Sequence, residues 1–355
     1  MKKLTSKERL VTSVYGDTFS LYNEREFDDF KAFLERRLLA NSIKPDSFAG
    51  KRCLDAGCGG GRASILMLEQ GAREVVGVDL SSQNVKTCRS IAKSRGFKNA
   101  SFVRHSLLKL PFPDESFDVV WSNGVLHHTR DPDRTLAEIC RVLKVGGRMW
   151  LYLYGSGGIY WAMVQQVREF LRDVPMTQGL LHLRMQGVSV RRIAEFIDDW
   201  FVPYLRAYTD DDVQARLKGL GIGNIRRLMG GEVFDTSTRL RRGGREGNWM
   251  GGGDLRYWGK KTNQTIDRGV DKLPGRDGFG STYADAKSVA VMAAEIRTLL
   301  QKASRNKSRG IAFRISVAHQ VHKAVRSRLE QNRAFDAAGL RRELILLSKW
   351  VDAAR

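Results

Sequence analysis

Four glycines fill the five positions from Gly57 to Gly61, behind the apolar run KRCLDA and ahead of ILMLEQGA. Such a loop approaches a ligand with its backbone alone, because no Cβ intervenes and positive φ is tolerated. Between a strand and a helix it demands an α/β fold, in which ligands bind beyond the carboxyl ends of parallel strands. The flanking chain agrees. KRCLDAG, REVVGVDLS, ASFVRHS, FDVVWSNGVL and RMWLYLY predict strands, while RASILMLEQGA, SSQNVKTCRSIAKSRGF and DRTLAEICRVLKVGG predict helices, the last closed by its two glycines. Strands alternating with helices give a doubly wound, Rossmann-like parallel sheet.

After Tyr154 the pattern breaks. GSGGIYWAMVQQVREFLRDV and VSVRRIAEFIDDWF are helical in period and rich in aromatics, a helical insertion over about 156–207. TDDDVQARLKGLGI then predicts a helix capped by Thr209, NIRRLM a strand and LRYWGKK a final antiparallel strand. The intervening RLRRGGREGNWMGGGD reads as a long hairpin loop, or as a single-strand-binding segment of interleaved arginine, glycine and aromatic residues. Beyond Thr262 three helical segments are predicted, near 282–303, 311–330 and 335–354. In the first, Ala286, Val289, Ala293, Ile296 and Leu300 share one face. The organisation expected is an N-terminal helical lid (1–44), a sheet domain (45–262) and a basic helical extension (263–355). The apolar faces of the extension are expected to pack on the sheet domain or a dimer partner, with an acidic membrane surface as the third choice.

Charge narrows the partners. The chain of 355 residues has a formal net charge of +21: residues 1–155 carry 25 Lys+Arg against 18 Asp+Glu, and residues 156–355 carry 35 against 21. A basic surface favours nucleic acid, acidic membrane or phosphorylated small molecules. No run of 18 apolar residues occurs, and MKKLTSKERL lacks the apolar core of a secretory signal, which predicts a cytoplasmic protein without a transmembrane segment. Cys53, Cys58, Cys88 and Cys140 form no C-x-x-C pair, so neither a metal site nor a disulfide framework is expected.

The glycine spacing is G-x-G-x-G, with Arg62 where the dinucleotide fingerprint needs its third glycine. Asp55 inside the strand end puts negative charge beside the loop, which suits a cationic ligand better than a pyrophosphate. Asp79 ends the second strand, 22 positions after Gly57, where a carboxylate accepts both hydroxyls of a ribose. Its structural alternative is a favourable charge at the helix beginning at Ser81. With the ribose so placed, Leu80 lies against the adenine and Leu107 or Leu108 against its other face.

These segments, LDAGCGGGRAS, VVGVDLS, LPFPDESFDVVWSNGVLHH and LAEICRVLKVGGRMWLYLY, resemble the class I S-adenosylmethionine-dependent methyltransferases, in the subgroup similar to the ubiquinone and menaquinone biosynthesis methyltransferases. The resemblance is strong over about 50–155, weak to about 262 and absent beyond. It implies a seven-stranded sheet and S-adenosyl-L-methionine as cofactor. The backbone of Gly57, Cys58, Gly59 and Gly61 would cradle the donor's methionine part, with Asp55 near the ammonium and Asn123 at the methionine end. Ser106 stands where the family most often has an aspartate on the adenine amino group, and a neutral acceptor weakens that bond by roughly 1 kcal/mol.

Methyl transfer is an in-line displacement, so positioning dominates, and a hydroxyl acceptor also needs a base. His127 and His128, after the fourth strand, are the candidates; alternatively one packs under the loop and the other caps backbone. Tyr152 and Tyr154 carry the same ambiguity. The acceptor pocket is expected from the insertion, with Tyr160, Trp161, Trp200, Phe201, Tyr204 and Tyr208 as walls and Arg191, Arg192 and Arg206 as charge. Tyr15 or Tyr22 would form a lid. Three functions fit: methyl transfer to a small or lipid-linked, anionic or aromatic acceptor; RNA methylation using the basic half; or a non-catalytic scaffold.

Overall fold

The computed structural model describes residues 4–232, 235, 249, 251–263, 272–273, 287–305, 309–330 and 335–354. In chain order its helices are α1 (Ser6–Phe19), α2 (Glu24–Ala40), α3 (Arg62–Glu69), α4 (Ser82–Ser94), α5 (Pro132–Val142), α6 (Gly158–Phe170), α7 (Met176–Met185), α8 (Val190–Phe201), α9 (Asp210–Gly219), α10 (Lys287–Ser304), α11 (Gly310–Glu330) and α12 (Ala337–Ala353). Its strands are β1 (Arg52–Ala56), β2 (Glu74–Asp79), β3 (Ala100–Arg104), β4 (Phe117–Asn123), β5 (Leu143–Tyr154), β6 (Ile222–Leu228) and β7 (Asp254–Lys261). The chain divides into two units, residues 1–155 with 203–238 and 254–277, and residues 156–202 with 239–253 and 278–355.

The first unit is built on one seven-stranded sheet in the order β3-β2-β1-β4-β5-β7-β6. Strands β1 to β5 run parallel, and β7 enters antiparallel between β5 and β6. The central strands are buried on both faces, which is why VVGV and FDVVW read as continuous apolar runs. One side packs Leu136, Ile139 and Cys140 of α5 and Val213 and Leu217 of α9. The other packs Leu34 and Leu38 of α2, Ile65 to Leu68 of α3 and Val85 and Cys88 of α4. Capping boxes start α1 at Thr5 with Glu8 and α2 at Asn23 with Glu26, and Thr209 caps α9 as its sequence predicts.

One boundary differs from expectation. The glycines of LKVGG do not close α5, which stops at Val142; they lie inside β5, where the register against β4 jumps between Phe117 and Val119. Gly147 has no room for a side chain, since a Cβ there would stand 2.8 Å from the carbonyl oxygen of Asp118. The pair therefore makes a bulge that bends β5 onto its neighbour.

The second unit is helical. The insertion helices α6 to α8 join the three C-terminal helices: α10 and α11 pack on α6, α11 also on α7, and α12 on α10 and α11. Tyr160, Trp161 and Trp200, expected as pocket walls, are the core of this unit. Trp200 stacks on Phe196 at 4.9 Å and donates through Nε1 to Nδ1 of His322 at 3.1 Å. The Tyr160 hydroxyl donates to Asp199 and lies 3.2 Å from Nε2 of His322. Arg192 is engaged by Glu195 and Glu330, and Arg191 by Glu195. Polar groups buried this deeply persist because each finds a partner.

Candidate functional site

A cleft of about 1240 Å³, part of it open to solvent, lies at the carboxyl ends of β1, β2 and β4 in the first unit. Most of the residues expected at the site meet there: Asp55, Gly57, Cys58, Gly59, Asp79, Leu80, Ser106, Leu107, Asn123 and His128 line it, and so does Leu108. Two expected residues do not. Gly61 (φ 86°) is the N-cap of α3 and is packed against Cys88, while His127 lies behind the wall.

The glycine loop owes its shape to positive φ at Gly57 (84°) and Gly59 (51°). A Cβ on Gly57 would meet both γ-carbons of Val125 at 2.5 Å, and one on Gly59 would meet the Phe19 ring at 2.6 Å. Cys58 sits 3.9 Å from Cys88, whose thiol donates to the Gly59 carbonyl. These cysteines are free, and burial together with this sulfur contact holds the Cys58 thiol protonated.

Two carboxylates, Asp55 buried and Asp79 half-buried, define the electrostatics. Asp79 accepts from the backbone N–H of Gly59 (2.9 Å) and of Ser81 (2.8 Å), and from the Asn84 amide at 3.3 Å, which fixes its plane. Asp55 is 2 % exposed and accepts from Ser64, through the hydroxyl at 2.6 Å and the backbone N–H. Neither forms an ion pair with a cationic side chain among the described residues. Burial, and then the Asp79 charge, push the Asp55 carboxyl up to about 7; burial also raises Asp79. Arg37, Arg62 and Arg130 line the same cleft and the Arg62 charge partly offsets the shift of Asp55, but neither carboxylate is ion-paired among the described residues, which fits a positively charged ligand.

Ser106 keeps its hydroxyl local, accepting from the Leu108 N–H at 3.3 Å. The Asn123 Oδ1 accepts from the Trp150 indole at 3.0 Å, so its amide N–H groups remain for other partners. Trp121 stacks on Trp150 at 4.3 Å; it lines the cleft, and its own indole N–H is buried without an acceptor.

The histidines separate in role. His128 places Nδ1 2.9 Å from the Tyr204 carbonyl, which only accepts, so Nδ1 carries the proton and Nε2 is the basic nitrogen. His127 is fully buried, with its ring 3.9 Å from that of Tyr154 and no partner for either nitrogen. Burial and the neighbouring His128 hold it well below the ordinary imidazole range, hence neutral. The 3₁₀ turn Leu126–His128 points the two rings in different directions.

The aromatic walls come from the N-terminal helices rather than from the insertion. Tyr15 and Phe19 of α1 and Phe30 and Phe33 of α2 line the cleft, and of the insertion aromatics only Tyr204 does. Arg62, at the start of α3, is enclosed by the rings of Phe19, Tyr22 and Phe30 at 5.0 to 5.7 Å. Arg37 at the far end forks onto Asp235 with bonds of 3.0 and 2.7 Å, and Asp235 also takes Arg256 at 3.1 Å. The sequence signal for these walls is the aromatic spacing in VYGDTFSLYNEREFDDFKAF, of which the lid expectation uses Tyr15 and Tyr22 alone. Arg206 is spent on structure, donating to the carbonyls of Thr129 and Arg130. Most of the arginine-rich segment 236–250 lies outside the described residues.

Comparison with known proteins places this site in a family. Residues 54–151 match the methyltransferase domain family. The chain is 35% identical over 130 residues to an uncharacterized methyltransferase, YcgJ, of Bacillus subtilis, covering 36% of this chain and 51% of the relative. It is 34% identical over 154 residues to the 27-O-demethylrifamycin SV methyltransferase of Amycolatopsis mediterranei, covering 40% and 55%. The chain thus spans about half the length of these curated relatives. Against the crystal structure of Bacillus YcgJ the identity is 17%, the coverage 63% and 99%, and the TM-score 0.43. Residues 54–151, with the glycine loop at the end of β1, thus form a methyltransferase domain similar to those of the class I S-adenosylmethionine-dependent methyltransferases.

Proposed function

We propose that the protein methylates a small or lipid-linked acceptor of anionic or aromatic character. The observation that carries the reading is the cleft itself, lined both by two carboxylates that form no ion pair among the described residues and by aromatic rings. S-adenosylmethionine supplies an electrophilic methyl group on a sulfonium, together with an ammonium and a ribose. The residues present fit those groups. Asp79, held by two backbone N–H groups, keeps lone pairs for both ribose hydroxyls, and Asp55 offers a carboxylate to the ammonium. Gly57 and Gly59 bring backbone close, and Leu80 and Leu107 present apolar surface to the base. On the acceptor side, Tyr15, Phe30 and Phe33 suit a flat or apolar body, and the indole N–H of Trp121 suits an oxygen. His128 is the residue positioned to take a proton through Nε2.

Calorimetry with S-adenosylhomocysteine tests the donor side. Asp79→Ala should weaken binding roughly tenfold to a hundredfold, about 1.5 to 3 kcal/mol of charge-assisted bonds. Unchanged affinity in a folded variant would remove Asp79 from the site. No binding to the wild type at millimolar concentration would favour the scaffold reading. The basic half of the chain keeps RNA as the second acceptor class, and one relative is a tRNA U34 carboxymethyltransferase. Micromolar or tighter binding of total RNA with a steep salt slope would replace the small-molecule reading.

A further inference from the structure

The second unit ends in a helix whose two faces are both apolar in part. On α12, Leu340, Leu344 and Val351 are buried against the neighbouring helices. The opposite face carries Ile345, Leu346 and Trp350 at 50, 64 and 41 % exposure, the last two one turn apart along the helix. Trp350 leans on Phe313 of α11, with ring centroids 5.4 Å apart. Cations interleave with these side chains. Arg342 and Lys349 lie between Ile345 and Leu346 around the helix, and Arg342 is 72 % exposed with a long ion pair, 3.9 Å, to Asp336. Lys349 has no acidic partner among the described residues. Asp352 is taken by Lys302, which also donates to the Ser348 hydroxyl at 2.8 Å. Over residues 287–355 the sequence carries 15 Lys+Arg against 5 Asp+Glu.

We propose that this outward face of α12 seats on an anionic lipid surface. Large apolar side chains in water beside exposed cations are what an interfacial helix presents: the apolar groups enter the acyl boundary, Trp350 sits at headgroup level, and the cations meet anionic headgroups. Charge decides against a second copy, since pairing two such faces sets Arg342 and Lys349 against their equivalents, with one acid, Asp336, in contact with either cation among the described residues. RNA would satisfy the cations while leaving Ile345 and Leu346 in water. Among the described residues no helix is long and apolar enough to cross a membrane, so the contact is peripheral. The inference does not depend on the methyl acceptor.

The test is co-sedimentation of the full chain with vesicles of phosphatidylcholine alone and of phosphatidylcholine with phosphatidylglycerol, at low and moderate salt. Binding is expected only to the phosphatidylglycerol vesicles, weakening with salt. It should fall at least tenfold in the double variant Leu346→Glu, Trp350→Glu, and stay unchanged in Met185→Glu, an equally exposed site on α7 at 73 %. Circular dichroism checks that the variants fold, as substitutions at exposed positions should. Absence of vesicle binding, or equal binding by the double variant, overturns the proposal. So does a wild-type dimer in analytical ultracentrifugation that the double variant dissolves, or RNA binding that the double variant abolishes.

Discussion

Replacing Asp55 with asparagine should stabilise the protein and weaken its hold on the donor, with opposite pH signatures. The Asp55 carboxyl is pushed from 3.8 up to about 7 by burial and by Asp79. Between those values the folded protein holds a proton that the unfolded chain has released, so folding stability falls as pH rises from about 4 to about 7 and is flat above. Three pH units at ~1.4 kcal/mol each make the full effect about 4 kcal/mol. By the same linkage, wild type should trail Asp55→Asn by about 2 kcal/mol at pH 5 and about 4 kcal/mol at pH 8. Carboxylates remote from Asp55 titrate alike in both proteins, so urea unfolding of the pair at the two pH values reads Asp55 together with its coupling to Asp79. Binding should run the other way. An ammonium beside Asp55 favours the ionised form, so S-adenosylhomocysteine binding at pH 6 should release nearly one proton, read by calorimetry in two buffers of different ionisation enthalpy. A stability gap that does not widen between pH 5 and pH 8 would refute the account of the buried charge. Binding without proton release would place the ammonium elsewhere.

Gly57→Ala should destabilise by about 2 to 4 kcal/mol and abolish donor binding, since the residue sits at φ 84° and its Cβ would strike Val125. Adding Val125→Ala should recover stability in urea unfolding but not the whole of binding; full recovery of both would mean that the backbone conformation is dispensable. In the second unit, Leu344→Ala removes a side chain that is 4 % exposed and should cost about 2 to 5 kcal/mol. Hydrogen exchange should show protection across Val289–Leu300 and Leu344–Val351, and free exchange there would sink the packed-helix reading.

The sheet was readable because its strands are buried on both faces and its helices on one, so apolar runs and apolar stripes alternate along the chain. The glycine loop and Asp79 were readable for another reason: backbone cradles need glycine, and a strand end needs a carboxylate that nearby N–H groups can orient. Periodicity could not say which helix an aromatic stripe packs against. Tyr160, Trp161 and Trp200 show the spacing of a wall and the burial of a core, and only the contacts of α6 and α8 with the C-terminal helices distinguish the two. Adjacent histidines posed a similar problem, since a 3₁₀ turn separates neighbours that a strand or loop assignment leaves equivalent. The glycines of LKVGG misled because a helix end and a bulge use the same residue for the same positive φ.

Phe19 standing over Gly59, and Arg62 held among three rings, also set a timetable. The loop cannot be reached from that side while α1 is in place, and α1 is tied to α2 by only Ser20 to Asn23, so the two helices leave together or not at all. Ring–cation contacts are not the whole latch, because salt bridges from Asp28 to Arg95, Lys31 to Glu69 and Arg37 to Asp235 also hold α2, so opening on this side should quicken as ionic strength rises.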